Sequence, residues 1–162
     1  MSRGRGDVYK RQVFEEGFRF LFKRFLLRPA RCTFAQPLLF GLGHGGIEAG
    51  LVLIPLLMQG DAFGALHMAL VERALAVLLH LTLTVIVWNG FQTGCRLGYL
   101  AVAVVLHGLV DSVLPLLARG GMQVPLVELV FAGMVLCAGI YAVLSRRLYL
   151  EGETKDEENS KA

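Results

Sequence analysis

Apolar residues run through most of this chain in blocks too long for the core-facing stripe of a soluble helix, separated by short polar breaks. Four blocks approach the roughly 20 apolar residues that a helix needs to cross a bilayer. They cover residues 34–58, 74–88, 97–118 and 125–144. The pattern predicts an all-α, polytopic transmembrane helical bundle of about four full spans. A fifth segment precedes them. Residues 14–27 set Arg19, Lys23 and Arg24 among phenylalanines and leucines, open on Glu15-Glu16, and stop or kink at Pro29. That segment reads either as an interfacial amphipathic helix, with its arginines at the lipid headgroups, or as the end of a spanning helix that begins upstream. Residues 59–71, which include Asp61, Gly60, Gly64 and His67, read as an external loop or a short surface helix.

Composition agrees with a membrane-embedded class. Hydrophobic residues make up 55% of the 162, charged residues 18%, and the mean hydropathy is +0.58. Cys32, Cys95 and Cys137 have no close-pair spacing, which argues against a zinc ribbon or a disulfide framework. The Lys/Arg distribution orients the chain. Arg28, Arg31, Arg96, Arg146 and Arg147 fall on one side of the spans and Arg73 and Arg119 on the other. Both ends are therefore expected in the cytoplasm, with residues 59–71 outside. Trp88 and Tyr149 fall at predicted span boundaries, as in an aromatic belt.

The two ends are read separately. Asp7-Val8-Tyr9-Lys10-Arg11-Gln12 is what a sequencing-library transposon end encodes when read in frame, so residues 1–12 are expected to be a non-native scar. Arg3, Arg5, Lys10 and Arg11 against Asp7 carry the whole formal net charge of +3, so the basic balance is no argument for nucleic acid. Residues 13–150 are then the membrane-embedded domain, with further helices expected upstream of Val13. Residues 151–162 are acidic, without periodicity, and read as a disordered tail.

The chemistry lies inside the apolar blocks. His44 and Glu48 are four residues apart in the glycine-rich run Gly41-Leu42-Gly43-His44-Gly45-Gly46-Ile47-Glu48-Ala49, and His107 and Asp111 repeat that spacing. His80 stands alone in the block between them. Polar groups at bilayer depth are costly and mark functional sites. Counting at 1.5 Å per residue places all three histidines close to the bilayer midplane. The glycines either let a neighbouring helix approach or open space beside His44. In Glu15-Glu16-Gly17-Phe18-Arg19, the arginine can hold one carboxylate by ion pairing and leave the other free to accept a proton. His67 is expected to be exposed, Glu72-Arg73 to mark an interface, and Glu128 to snorkel or pair near the external face.

The ordered set Glu15-Glu16-x-x-Arg19, Gly43-His44-Gly45-Gly46-x-Glu48-Ala49, Glu72-Arg73 leading to His80, and His107-x-x-x-Asp111 resembles the YhfC family of intramembrane metalloproteases. That family is similar to the PrsW and CAAX prenyl protease-like membrane peptidases. The resemblance covers about residues 14–117. It implies a peptidase acting on membrane-embedded proteins or peptides, in a bacterial plasma membrane. It further implies a metal, zinc by this reading, held by His44, His80 and His107. Glu48 or Asp111 would be a fourth ligand or an orienting group, and Glu15 or Glu16 the general base. A metal-free variant would use a glutamate to activate water, with His and Asp groups binding the oxyanion. Two non-enzymatic readings stand beside these. One is a scaffold whose buried His/carboxylate network fixes helix packing, as in a distantly similar subunit of gamma-secretase. The other is a transporter, for which there is no inverted repeat. Ligation requires the imidazole nitrogens to converge on one point; a packing network leaves them on separate interfaces.

Overall fold

The computed structural model describes residues 5–27, 32–58 and 63–149. They form five helices and, among the described residues, no strand: α1 (Arg5–Phe25), α2 (Ala35–Met58), α3 (Phe63–Thr93), α4 (Arg96–Arg119) and α5 (Val124–Leu144). Four helical stretches are long and apolar enough to cross a membrane: Ala35–Met58, Leu66–Thr93, Arg96–Arg119 and Val124–Tyr149. The chain is thus a multi-pass helical membrane protein. The acidic tail, the Pro29 break and residues 59–62 lie outside the described residues.

Helix α3 is the hub and packs against α1, α2, α4 and α5. Its lower half is buried all round, with Leu79, Leu83, Val85, Ile86, Val87 and Trp88 in the core, as expected of a helix apolar on every face. At 31 residues it is about 46 Å long, well beyond a hydrocarbon core of about 30 Å. It therefore tilts or projects from the bilayer. This corrects the second predicted span. The helix takes in residues 63–71, read from sequence as loop or a separate short surface helix, because Ala65, Leu66 and Met68–Leu70 supply good helix formers and no Pro interrupts them. His67 is exposed on its first turns. Trp88 is likewise not a boundary residue. It is fully buried, with the Lys23 ammonium 4.7 Å from its ring centroid, a cation–π contact inside the bundle. Tyr149 is also buried, its ring against Phe34 and its hydroxyl 3.4 Å from the Val85 carbonyl oxygen.

The turns follow from local chemistry. Gly94, at φ +85°, turns the chain between α3 and α4. Pro125, in the first turn of α5, needs no amide donor there.

Helix α1 has inverted amphipathicity. Gln12, Glu16, Arg19 and Lys23, spaced four, three and four apart, form a buried stripe, while Val13, Phe14, Phe18, Leu21 and Phe25 are exposed. A stripe of that kind is stable only if the surroundings are apolar and the polar groups find partners within the bundle. The expectation of arginines at the headgroups fails for Arg19, which is directed inward. Helix α1 also begins at Arg5, so it runs without interruption across the boundary at residue 12 drawn from sequence.

Candidate metal and proton-transfer site

The site lies where α1, α2, α3 and α4 meet. Its first requirement is a close α2–α3 crossing, which Gly41 and Gly45 provide, one turn apart. A Cβ on Gly41 would lie 2.7 Å from the Leu81 Cα, and one on Gly45 would lie 3.0 Å from the Val77 Cα. Only glycine allows the backbones so close. Gly43 and Gly46, on the other faces of α2, have open space beside them. One face of the glycine-rich run therefore lets a neighbouring helix approach, as its sequence suggested, while Gly43 and Gly46 lie on exposed faces of α2.

That crossing brings His44 of α2 against His80 of α3, with ring centroids 5.0 Å apart and the rings tilted by 54°. His107 of α4 stands edge-on to the other side of His80, 5.6 Å away. The three imidazoles form a row with His80 in the middle, the two flanking rings each contacting it. Their carboxylates are distributed differently from the (i, i+4) expectation. Glu48 reaches across to α3, with Oε2 2.7 Å from Nε2 of His80. Asp111 is 3.9 Å from Nε2 of its own helix neighbour His107 and accepts a hydrogen bond from Gln12 Nε2 at 2.5 Å.

The paired glutamates separate in role. Glu16 is fully buried and ion-paired with Arg19, and its Oε1 lies 2.9 Å from Nδ1 of His107. Arg19, also fully buried, spans from Glu16 to Nδ1 of His80. Glu15 is paired through Oε1 with the exposed Arg11 at 2.9 Å, while its Oε2 is buried and makes no hydrogen bond within the protein. Arg73 reaches Glu48 at 3.8 Å as well as its neighbour Glu72 at 2.5 Å. It is thus part of the site's rim rather than a simple interface marker. Glu128 is partly buried, and its Oε2 is another oxygen with no hydrogen bond.

One group among the described residues could hold a cation. Glu15, His44, Glu48 and His80 each offer a ligand atom, and these atoms all lie within 4.8 Å of one another. His107 is next to this group but engages Glu16 instead. The donor set fits a metal. Two imidazoles and two carboxylates suit zinc and other divalent first-row ions alike, and the buried, unpartnered Glu15 Oε2 is an oxygen that a cation or a water would satisfy. Zinc is not singled out by this set.

Sequence reasoning missed the central position of Arg19, the reach of Arg73 and the contact of Gln12 with Asp111. The signal for Arg19 was present. Gln12, Glu16, Arg19 and Lys23 repeat at helical spacing, and a polar stripe beside membrane spans faces inward.

Two apolar cavities lie elsewhere. One, of about 650 Å³, is lined by Leu83, Leu106, Val110 and Met134 among others, between α3, α4 and α5. The other, of about 520 Å³, lies between α2, α3 and α5. Both are lined by apolar side chains, and neither includes a residue of the His/Glu cluster.

No curated protein and no solved structure matches the chain. A family model does, over residues 9–66 and 53–132, a stretch that contains α2, α3 and α4, most of α1 and every residue of the His/Glu cluster described above. With the clustered donors and the membrane-spanning helices, this match establishes that the chain belongs to the YhfC intramembrane metalloprotease family.

Proposed function

We propose that this protein hydrolyses peptide bonds of membrane-embedded substrates in the plasma membrane of a bacterium, with a zinc ion held by His44, His80 and Glu48. The observation that carries this reading is the convergence of Glu15, His44, Glu48 and His80 within one family-matched bundle. When bound, such an ion polarises a peptide carbonyl and acidifies a water.

The remaining steps belong to the chain's own residues. Glu15, whose Oε2 makes no hydrogen bond within the protein, is the general base that takes a proton from the attacking water. Glu16 cannot serve that role while Arg19 and His107 engage it; it orients His107 instead. Nε2 of His107 faces Glu15 Oε2 at 3.8 Å and Asp111 Oδ2 at 3.9 Å, separations that a bridging water suits better than direct hydrogen bonds. His107 and Asp111 thus hold water beside the base and pass its proton to the leaving amine. Arg73 balances the negative charge of Glu48 at the rim.

A second reading is favoured by one contact. Arg19 sits on Nδ1 of His80, which constrains that ring as a ligand. A metal-free peptidase using Glu15 as base would retain the contact. The test is cleavage of a membrane-embedded peptide library by the purified chain in liposomes. Loss of cleavage on chelation and recovery with zinc support the metal reading. Cleavage unaffected by chelation, but reduced on the order of 10²- to 10⁴-fold in Glu15→Gln, supports the metal-free one.

A further inference from the structure

Five side chains from four helices form one continuous chain of contacts. It runs from Glu48 to Nε2 of His80, from Nδ1 of His80 to Arg19, from Arg19 to Glu16, and from Glu16 to Nδ1 of His107. The chemistry of the two middle groups is fixed. A guanidinium only donates and stays protonated in proteins. A carboxylate ion-paired with it, away from water, only accepts.

We propose that the buried Glu16–Arg19 pair sets His80 and His107 in opposite tautomers. Arg19 can only donate to Nδ1 of His80, so the ring proton of neutral His80 is on Nε2 and is donated to Glu48 Oε2 at 2.7 Å. Glu16 can only accept from Nδ1 of His107, so neutral His107 has its lone pair on Nε2. That lone pair faces Glu15 and Asp111 across gaps of 3.8 and 3.9 Å. Two neighbouring imidazoles thereby offer the site one donor and one acceptor. Glu16 and Arg19 are positioning residues, acting through the rings they touch.

A consequence, resting on the metal reading above, concerns His80 alone. A neutral ring binds a cation through Nε2 only when its proton has moved to Nδ1, where Arg19 now donates. Cation binding at Nε2 and the Arg19–His80 contact therefore exclude each other, and loading must displace Arg19 from the ring. His107 keeps its tautomer, because a carboxylate on Nδ1 is the arrangement that supports an accepting Nε2.

The test is ring-¹⁵N NMR of the whole chain in detergent, labelled at histidine, first stripped of metal and then titrated with zinc. The four histidines are assigned by single His→Gln variants, and the exposed His67 serves as an internal reference. In the stripped protein, His80 should be protonated on Nε2 and His107 on Nδ1. Arg19→Lys, still a pure donor, should retain the His80 signature, and Arg19→Gln should lose it. Glu16→Asp should retain the His107 signature, and Glu16→Gln should lose it. The stripped wild type suffices even where a variant fails to fold: equal tautomers at the two rings, or the reverse assignment, would overturn the proposal. Zinc should move the His80 proton from Nε2 to Nδ1. If the stripped tautomers are as described and zinc changes neither ring, the tautomer pair stands and the metal reading of His80 falls.

Discussion

Glu48 of α2 lies 2.7 Å from the imidazole of His80 on α3, not against His44 one turn away on its own helix. The carboxylate of the first His–x–x–x–acid motif therefore serves the histidine of the next helix. This ties the two halves of the donor group across the Gly41–Gly45 crossing, so that helix packing and site geometry depend on one another.

Loss of that carboxylate should weaken metal binding. Glu48→Gln keeps the shape and removes the charge, and a drop of about 10- to 100-fold in zinc affinity is expected, whether Glu48 ligates or only orients. Competition with a chromophoric chelator measures it. An unchanged affinity would remove Glu48 from the donor group.

The crossing itself can be tested without chemistry. A Cβ at Gly41 would lie 2.7 Å from backbone, so Gly41→Ala should destabilise the bundle by about 1–3 kcal/mol. Gly43→Ala meets nothing within 4 Å and should change stability by less than about 0.5 kcal/mol. Unfolding in mixed detergent would show the difference, and equal effects would contradict the packing described.

Arg19 and Glu16 form a fully buried ion pair, so removing one partner strands the other. Arg19→Met should cost about 3–5 kcal/mol, and Glu16→Gln in the same protein should recover part of it. Additive losses in the double-mutant cycle would mean that the two charges do not depend on each other.

Orientation rests on the Lys/Arg distribution and has a direct probe in Cys95, exposed in the turn between α3 and α4. With Cys32 and Cys137 replaced by serine, a membrane-impermeant thiol reagent should label Cys95 only after the cytoplasmic face is opened. Labelling of intact cells would reverse the topology.

Much of this was legible in the sequence, for physical reasons. Apolar runs of bilayer length specify spanning helices whatever their partners, so four spans could be read locally. His44, His80 and His107 stood out because imidazoles at that depth need compensation. What sequence could not assign was who compensates whom. Glu48 pairs with His80 and Glu16 with His107, and those choices depend on helix rotation, which periodicity leaves open once every face of α3 is apolar. The same ambiguity placed Trp88 at a boundary when it is in the core. The pairing of Arg19 with one of the two glutamates was legible from their spacing, but the interfacial alternative for this aromatic–basic stretch put its arginines at the headgroups, whereas the stripe Arg19 shares with Glu16 and Lys23 points inward.

The most direct measurement is the metal content of the purified chain by elemental analysis, compared with His44→Ala. About one equivalent of zinc per chain in the wild type, largely lost in a folded His44→Ala protein, is the expected result. A folded wild type that retains no metal and takes up none on addition of zinc would contradict the metal site and leave the buried network as a structural or metal-free one.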